Sequence, residues 1–123
     1  MNLSNGEEQL MNFLWEKGSA FMKDLLEAYP EPKPAPTTVA TLLKRLTDKG
    51  AVSYKVFGNS REYYPEFQKS QYFSNKVNGL IKNFFNDSPA QFASFFTQET
   101  DLTQKELESL KSIIENQIKS KKP

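Results

Sequence analysis

Apolar residues recur along the chain in runs whose spacing changes at recognisable punctuation. Leu10, Met11, Phe13, Leu14 and Trp15 give a broad apolar face to a first helix. Ser4-Asn5-Gly6-Glu7 supplies its start, a hydroxyl with a glutamate three residues on, and Lys17-Gly18 its end. Ser19 restarts the pattern, and Phe21, Met22, Leu25, Leu26 and Tyr29 predict a short second helix stopped by Pro30. Prolines at 30, 32, 34 and 36 then demand an extended connector without a plain P-x-x-P spacing. Over 37–49, Val39, Leu42, Leu43 and Leu46 fall at i, i+3, i+4 and i+7 and predict a third helix ended by Gly50.

From Ala51 to Phe57 the period shortens to two, with Val52, Tyr54 and Val56 alternating against Ser53 and Lys55. Gly58-Asn59-Ser60 reads as a turn and Arg61 to Tyr64 as a returning strand closed by Pro65. Helical spacing resumes with Phe73, Val77, Leu80, Ile81 and Phe84. Ser88-Pro89 starts a further helix, and Thr103-Gln104-Lys105-Glu106 is a second capping box. Leu107, Leu110, Ile113, Ile114 and Ile118 line the last helix. The expected organisation is mainly α: a winged helix-turn-helix of three helices and a β-hairpin over 1–67, then a helical dimerisation region over 68–123.

At 100° per residue, Thr37, Thr41, Lys44, Arg45 and Asp48 project away from the apolar stripe of the third helix. Thr37 and Thr38 place hydroxyls at its N-terminus, where free amides favour an anion. In a winged helix this third helix enters the DNA major groove and the hairpin touches backbone or minor groove. Lys44 and Arg45 suit phosphate oxygens or guanine edges, and Thr37, Thr38 and Thr41 suit phosphates or a thymine methyl. Lys55 and Arg61 flank the hairpin tip, where two cations can straddle a phosphate strand.

Charge sharpens this picture. The 123 residues carry a net charge of only +1, yet residues 1–32 balance to −4, 33–64 to +4 and 65–123 to +1. A local basic segment in a near-neutral chain fits one face meeting a polyanion. Lys119, Lys121 and Lys122 read instead as a solvated tail. The sequence contains no cysteine and no histidine, which removes thiolate nucleophiles, disulfides, the usual zinc sites and the commonest general base. Glu7 and Glu8, or Glu106 and Glu108, diverge on a helix and two of them cap, so no catalytic carboxylate pair is formed. No glycine-rich phosphate loop is present, and neither an enzyme nor a cofactor is expected. No apolar run reaches the ~18 to 20 residues of a membrane span, and the start is no signal peptide, so a cytoplasmic chain without membrane insertion is expected.

Residues 68–100 hold Tyr72, Phe73, Phe84, Phe85, Phe92, Phe95 and Phe96, too many rings for three short elements to bury alone. Self-association through Phe73, Val77, Leu80, Ile81, Phe84, Phe85, Phe92, Phe95, Phe96, Leu107, Leu110 and Ile114 is the expectation. An alternative keeps the winged helix as a protein-docking module using Tyr63, Tyr64 and the Phe-rich helices.

The chain resembles the penicillinase-repressor (BlaI/MecI/CopY) family of bacterial transcriptional regulators. The specific part is the run Thr37-Thr38-Val39-Ala40-Thr41-Leu42-Leu43-Lys44-Arg45-Leu46 with Lys49-Gly50. Leu3-Ser4-Asn5-Gly6-Glu7, Met11, Leu14-Trp15-Glu16, Tyr64-Pro65 and Asp101-Leu102-Thr103 extend it over nearly the full length. The resemblance implies a homodimer on dyad-symmetric double-stranded DNA, repressing by occupancy. It further implies induction through a membrane sensor protease, or a protease downstream of it, that cuts the C-terminal domain. The β-lactam-responsive members are cut between asparagine and phenylalanine, whereas this chain reads Phe92-Ala93-Ser94-Phe95-Phe96-Thr97. The copper-sensing members carry a cysteine cluster, which is lacking here.

Overall fold

The first helix, α1 (Asn5–Lys17), starts where its sequence dictates. Ser4 Oγ accepts the Glu7 amide at 3.2 Å, and the Glu7 carboxylate accepts the Ser4 amide at 2.8 Å. The computed structural model describes residues 1–122. It divides into two compact units, Met1–Asn75 and the residues from Lys76 onward.

In the first unit, α1 is followed by β1 (Ala20–Phe21), α2 (Met22–Ala28), α3 (Pro36–Asp48), β2 (Val52–Phe57) and β3 (Ser60–Pro65). The periodicity expected a helix opening near Phe21; instead Ala20 and Phe21 pair antiparallel with Tyr63 and Glu62. The resulting sheet has the order β1-β3-β2. Asp24 accepts the Phe21 amide at 3.0 Å and so starts α2 one residue later. Pro36 occupies the first position of α3, where its missing amide costs no hydrogen bond. Gly50, at φ 79°, turns the chain from α3 into β2.

The core of this unit is built from Leu3, Leu10, Met11 and Leu14, Leu25 and Tyr29, Val39, Leu43 and Leu46, and Ala51, Val52 and Tyr63. Three of the four α3 stripe residues are buried and Leu42 is half-buried, as the i, i+3, i+4, i+7 spacing requires. The next helix, α4 (Lys69–Phe84), starts inside this unit. Tyr72 is buried and donates to Glu8 at 2.6 Å, while Trp15 Nε1 donates to the Phe67 carbonyl at 2.8 Å. The expected boundary at 67/68 falls just before this helix, whereas compactness keeps Tyr72 and Phe73 with the first unit.

The second unit contains the rest of α4, then α5 (Pro89–Glu99) and α6 (Gln104–Ser120). Asn86 and Asp87 take left-handed φ values of 54° and 56° and turn the chain out of α4. Ser88 and Thr103 cap α5 and α6 as expected, the latter with a full capping box. Phe85 lies edge-on to Phe92 at 5.4 Å and tilted to Phe95 at 5.2 Å; Phe92 stacks on Phe96 at 6.2 Å. None of the described residues from Lys76 onward is buried.

Candidate nucleic-acid interface

Side chains on α3 divide as the helix period dictates. Thr37, Thr38, Thr41, Lys44, Arg45 and Asp48 are all exposed or half-exposed, opposite the stripe that enters the core. Thr41 Oγ1 donates back to the Thr37 carbonyl at 2.9 Å, which leaves its methyl and the oxygen lone pairs to the solvent side. Lys44 meets Asp48 at 3.0 Å one turn on, with both side chains mostly in water. Such an exposed i, i+4 pair is worth about 0.3–0.5 kcal/mol and yields easily to a stronger anion. The Arg45 side chain makes no hydrogen bond or ion pair among the described residues, while its carbonyl accepts the Lys49 amide at 3.0 Å. No side chain caps the N-terminus of α3, because Ala35 stands at the cap position.

The six cations of residues 33–64 are not equivalent. Lys33 donates to the carbonyls of Leu26, Glu27 and Tyr29 at 3.2, 3.1 and 2.8 Å and closes the C-terminus of α2. Lys49 reaches Glu7 at 2.7 Å and the Asn2 carbonyl at 3.0 Å, pinning α3 to the start of α1. Burial pushes the Glu7 carboxyl up, but the Lys49 and Ser4 hydrogen bonds outweigh it and hold the pKa below the ordinary value. Fold stability takes these two lysines. Lys44, Arg45, Lys55 and Arg61 remain exposed.

Hairpin register decides where the last two point. The turn has two residues, Gly58-Asn59, with Phe57 opposite Ser60, and Gly58 takes φ 61°. Lys55 therefore lies opposite Glu62, and Arg61 opposite Val56. Adjacent pairs alternate faces, so the two cations sit on opposite sides of the wing and do not flank one tip together. Arg61 shares its face with Tyr54, Val56 and Tyr63. That face borders a hollow of about 370 Å³ against α3, lined by Ala40, Leu43, Lys44, Thr47, Asp48, Tyr54, Arg61 and Tyr63. The structure thus brings Arg61 to the same concavity as Lys44. It leaves Lys55 on the outer face.

The chain matches the Penicillinase repressor family profile over residues 3–116. It belongs to that family. Over 121 residues it is 25% identical to the penicillinase repressor of Bacillus licheniformis, covering 98% of this chain and 94% of that one. It is 30% identical over 117 residues to the methicillin resistance regulatory protein MecI of Staphylococcus aureus strain N315, covering 91% and 92%. Among solved structures, the DNA binding domain of the repressor BlaI superposes with a TM-score of 0.52 at 26% identity, covering 58% of this chain and 88% of that domain. Penicillinase repressor family members are transcriptional regulators and not enzymes, and the expected mainly α, winged-helix fold is the one found. This family member has no helix long and apolar enough to cross a membrane among its described residues.

The expected dimerisation residues are dispersed over both units. Phe73 packs on Trp15 and Tyr72 in the first unit, with centroids 6.0 and 4.9 Å away. Val77, Leu80, Phe84, Phe95, Phe96, Leu107 and Ile114 are exposed. Tyr63, offered by the protein-docking alternative, belongs to the first unit's core.

Proposed function

We propose that this penicillinase-repressor homologue is a DNA-binding transcriptional repressor that acts as a homodimer. Each N-terminal unit, covering the expected 1–67 domain, reads one half of a dyad-symmetric operator. The observation that carries the reading is the outward face of α3, whose Lys44, Arg45, Thr37, Thr38 and Thr41 face the solvent while Lys33 and Lys49 of the same basic segment are engaged in the fold. Its dimensions suit a major groove about 12 Å wide, with threonines at the phosphate-facing N-terminus and cations one to two turns on.

Dimerisation is supported by the second unit. Helices of 16, 11 and 17 residues with apolar stripes, and no buried residue among those described from Lys76 onward, leave Val77, Leu80, Phe84, Leu107 and Ile114 in water. Covering such a surface is favourable by about 25 cal/mol per Å². Two copies also match a two-fold operator by symmetry alone. Induction by proteolysis is not part of this reading, because the stretch from Phe92 to Thr97 lacks the Asn-Phe pair at which the β-lactam-responsive members are cut. The stretch from Phe92 to Thr97 lies within α5, so a protease requiring an extended substrate has to unwind that helix.

The test is a fluorescence-anisotropy titration of the protein against the duplex immediately upstream of its own coding region, at two salt concentrations, with a scrambled duplex as control. Preference for the first duplex at two chains per site is expected. Lys44→Ala and Arg45→Ala should each lower the slope of log affinity against log salt by about one for every phosphate left unneutralised. Unchanged affinity and slope in both variants would overturn the assignment of α3 as the reading helix.

A further inference from the structure

A long basic side chain loses rotamer entropy when it binds a phosphate, and that cost falls where a neighbouring group already fixes its direction. On the wing, that group is Tyr54. Register places Tyr54 opposite Tyr63, so Arg61, two residues before Tyr63, is the diagonal neighbour of Tyr54 on the same face. The Arg61 guanidinium carbon lies 4.4 Å from the centre of the Tyr54 ring. That ring is itself held against Tyr63, tilted at 60° with centroids 5.6 Å apart, and Tyr63 is anchored in the core. The sequence Tyr63, Tyr54, Arg61 is thus a relay of packing from the core to the mouth of the hollow that also holds Lys44 and Thr47. A guanidinium lying over a ring keeps its N–H edges free to pair with two oxygens of a phosphate.

We infer that Tyr54 is a positioning residue that holds Arg61 over its ring, so that Arg61 and Lys44 grip one phosphodiester strand between the wing and α3. This inference rests on the DNA-binding reading above and assigns a seat to the strand that reading leaves unplaced. It also separates the two wing cations: Arg61 is the ordered contact, and Lys55, on the outer face, contributes only general attraction.

The experiment is a double-mutant cycle on the full-length chain, read as affinity for the upstream duplex at about 0.1 M salt, with thermal melts confirming that each variant folds. Tyr54→Leu removes the ring. It should weaken binding about three- to tenfold, the range expected when a partly desolvated cation is deprived of its aromatic platform. Tyr54→Phe and Tyr54→Trp keep a ring and should bind within about twofold of wild type. Arg61→Lys keeps the charge without the plane and should weaken binding about as much as Tyr54→Leu. In an Arg61→Ala background, Tyr54→Leu should have almost no further effect on DNA affinity.

Equal costs of Tyr54→Leu with and without Arg61 would show a merely structural ring and overturn the inference. An Arg61→Ala variant that binds weakly beside a Tyr54→Leu variant that binds normally would overturn it too. If Lys44→Ala, Arg45→Ala and Arg61→Ala all leave binding unchanged, the DNA-binding reading itself fails and this inference with it.

Discussion

Glu7 is only 2% exposed, yet it carries a charge between the Ser4 amide and Lys49 Nζ. Its folded pKa lies below the ordinary carboxyl value, so the ionised form stabilises the fold. That contribution is complete above about pH 4.3, the unfolded carboxyl range, and drains away as pH falls through the lower folded value. Glu7→Gln should cost about 1–3 kcal/mol at neutral pH, because the Lys49 ammonium and the cap then lack a charged acceptor. It should also flatten the fall in stability between about pH 5 and pH 3, as read from urea unfolding at a series of pH values. An unchanged pH slope would remove Glu7 from the acid sensitivity of the fold. The exposed cations of α3 were legible in the sequence because a helix period sorts faces without long-range information. Lys33 and Lys49 were not, since counting charge treats every lysine as free. Lys49 finds its partner 42 residues earlier in the chain.

Elements set by local chemistry were the legible ones. Capping boxes at Ser4 and Thr103, the proline before α3 and the apolar stripe of α3 all act within a few residues of themselves. The two-residue β1 escaped, because its only reason to be extended is the pairing of Ala20 and Phe21 with β3. Hairpin register escaped for a different cause. Reading Ser60 as part of the turn hides the parity of the ladder, and parity decides which cation faces α3. The turn itself depends on Gly58 at φ 61°, with open space where a side chain would begin. Gly58→Ala should therefore act by backbone strain alone, lowering stability by about 1 kcal/mol. Chemical denaturation measures this. A drop well above that would mean that the tip has a packing role that the space around Gly58 does not show.

At the scale of the whole molecule, the two units differ in how they use apolar side chains. The first closes a core around Leu10, Leu14, Leu43 and Leu46; the second leaves Phe84 76% and Ile114 57% exposed. If self-association covers this surface, Phe84→Asp together with Ile114→Asp should shift the monomer–dimer equilibrium at least about tenfold towards monomer, since each buried side chain is worth about 1.5–3 kcal/mol. Sedimentation equilibrium reads the shift, and the melt of the first unit should stay in place because neither residue belongs to it. A dimer unaffected by both changes would put the interface elsewhere. The sequence made the excess of rings visible but not their division: Phe73 looks like its neighbours in period, and only the fold assigns it to Trp15 and Tyr72. The same aromatic corner fixes where the chain can be cut. A fragment ending at Pro65, the last residue of the wing, strips Trp15 of its Phe67 acceptor and opens the seat of Tyr72 to water. One carried through Asn75 keeps the corner whole, so a fragment that retains all of the first unit's packing ends partway along α4 and not at the end of its sheet.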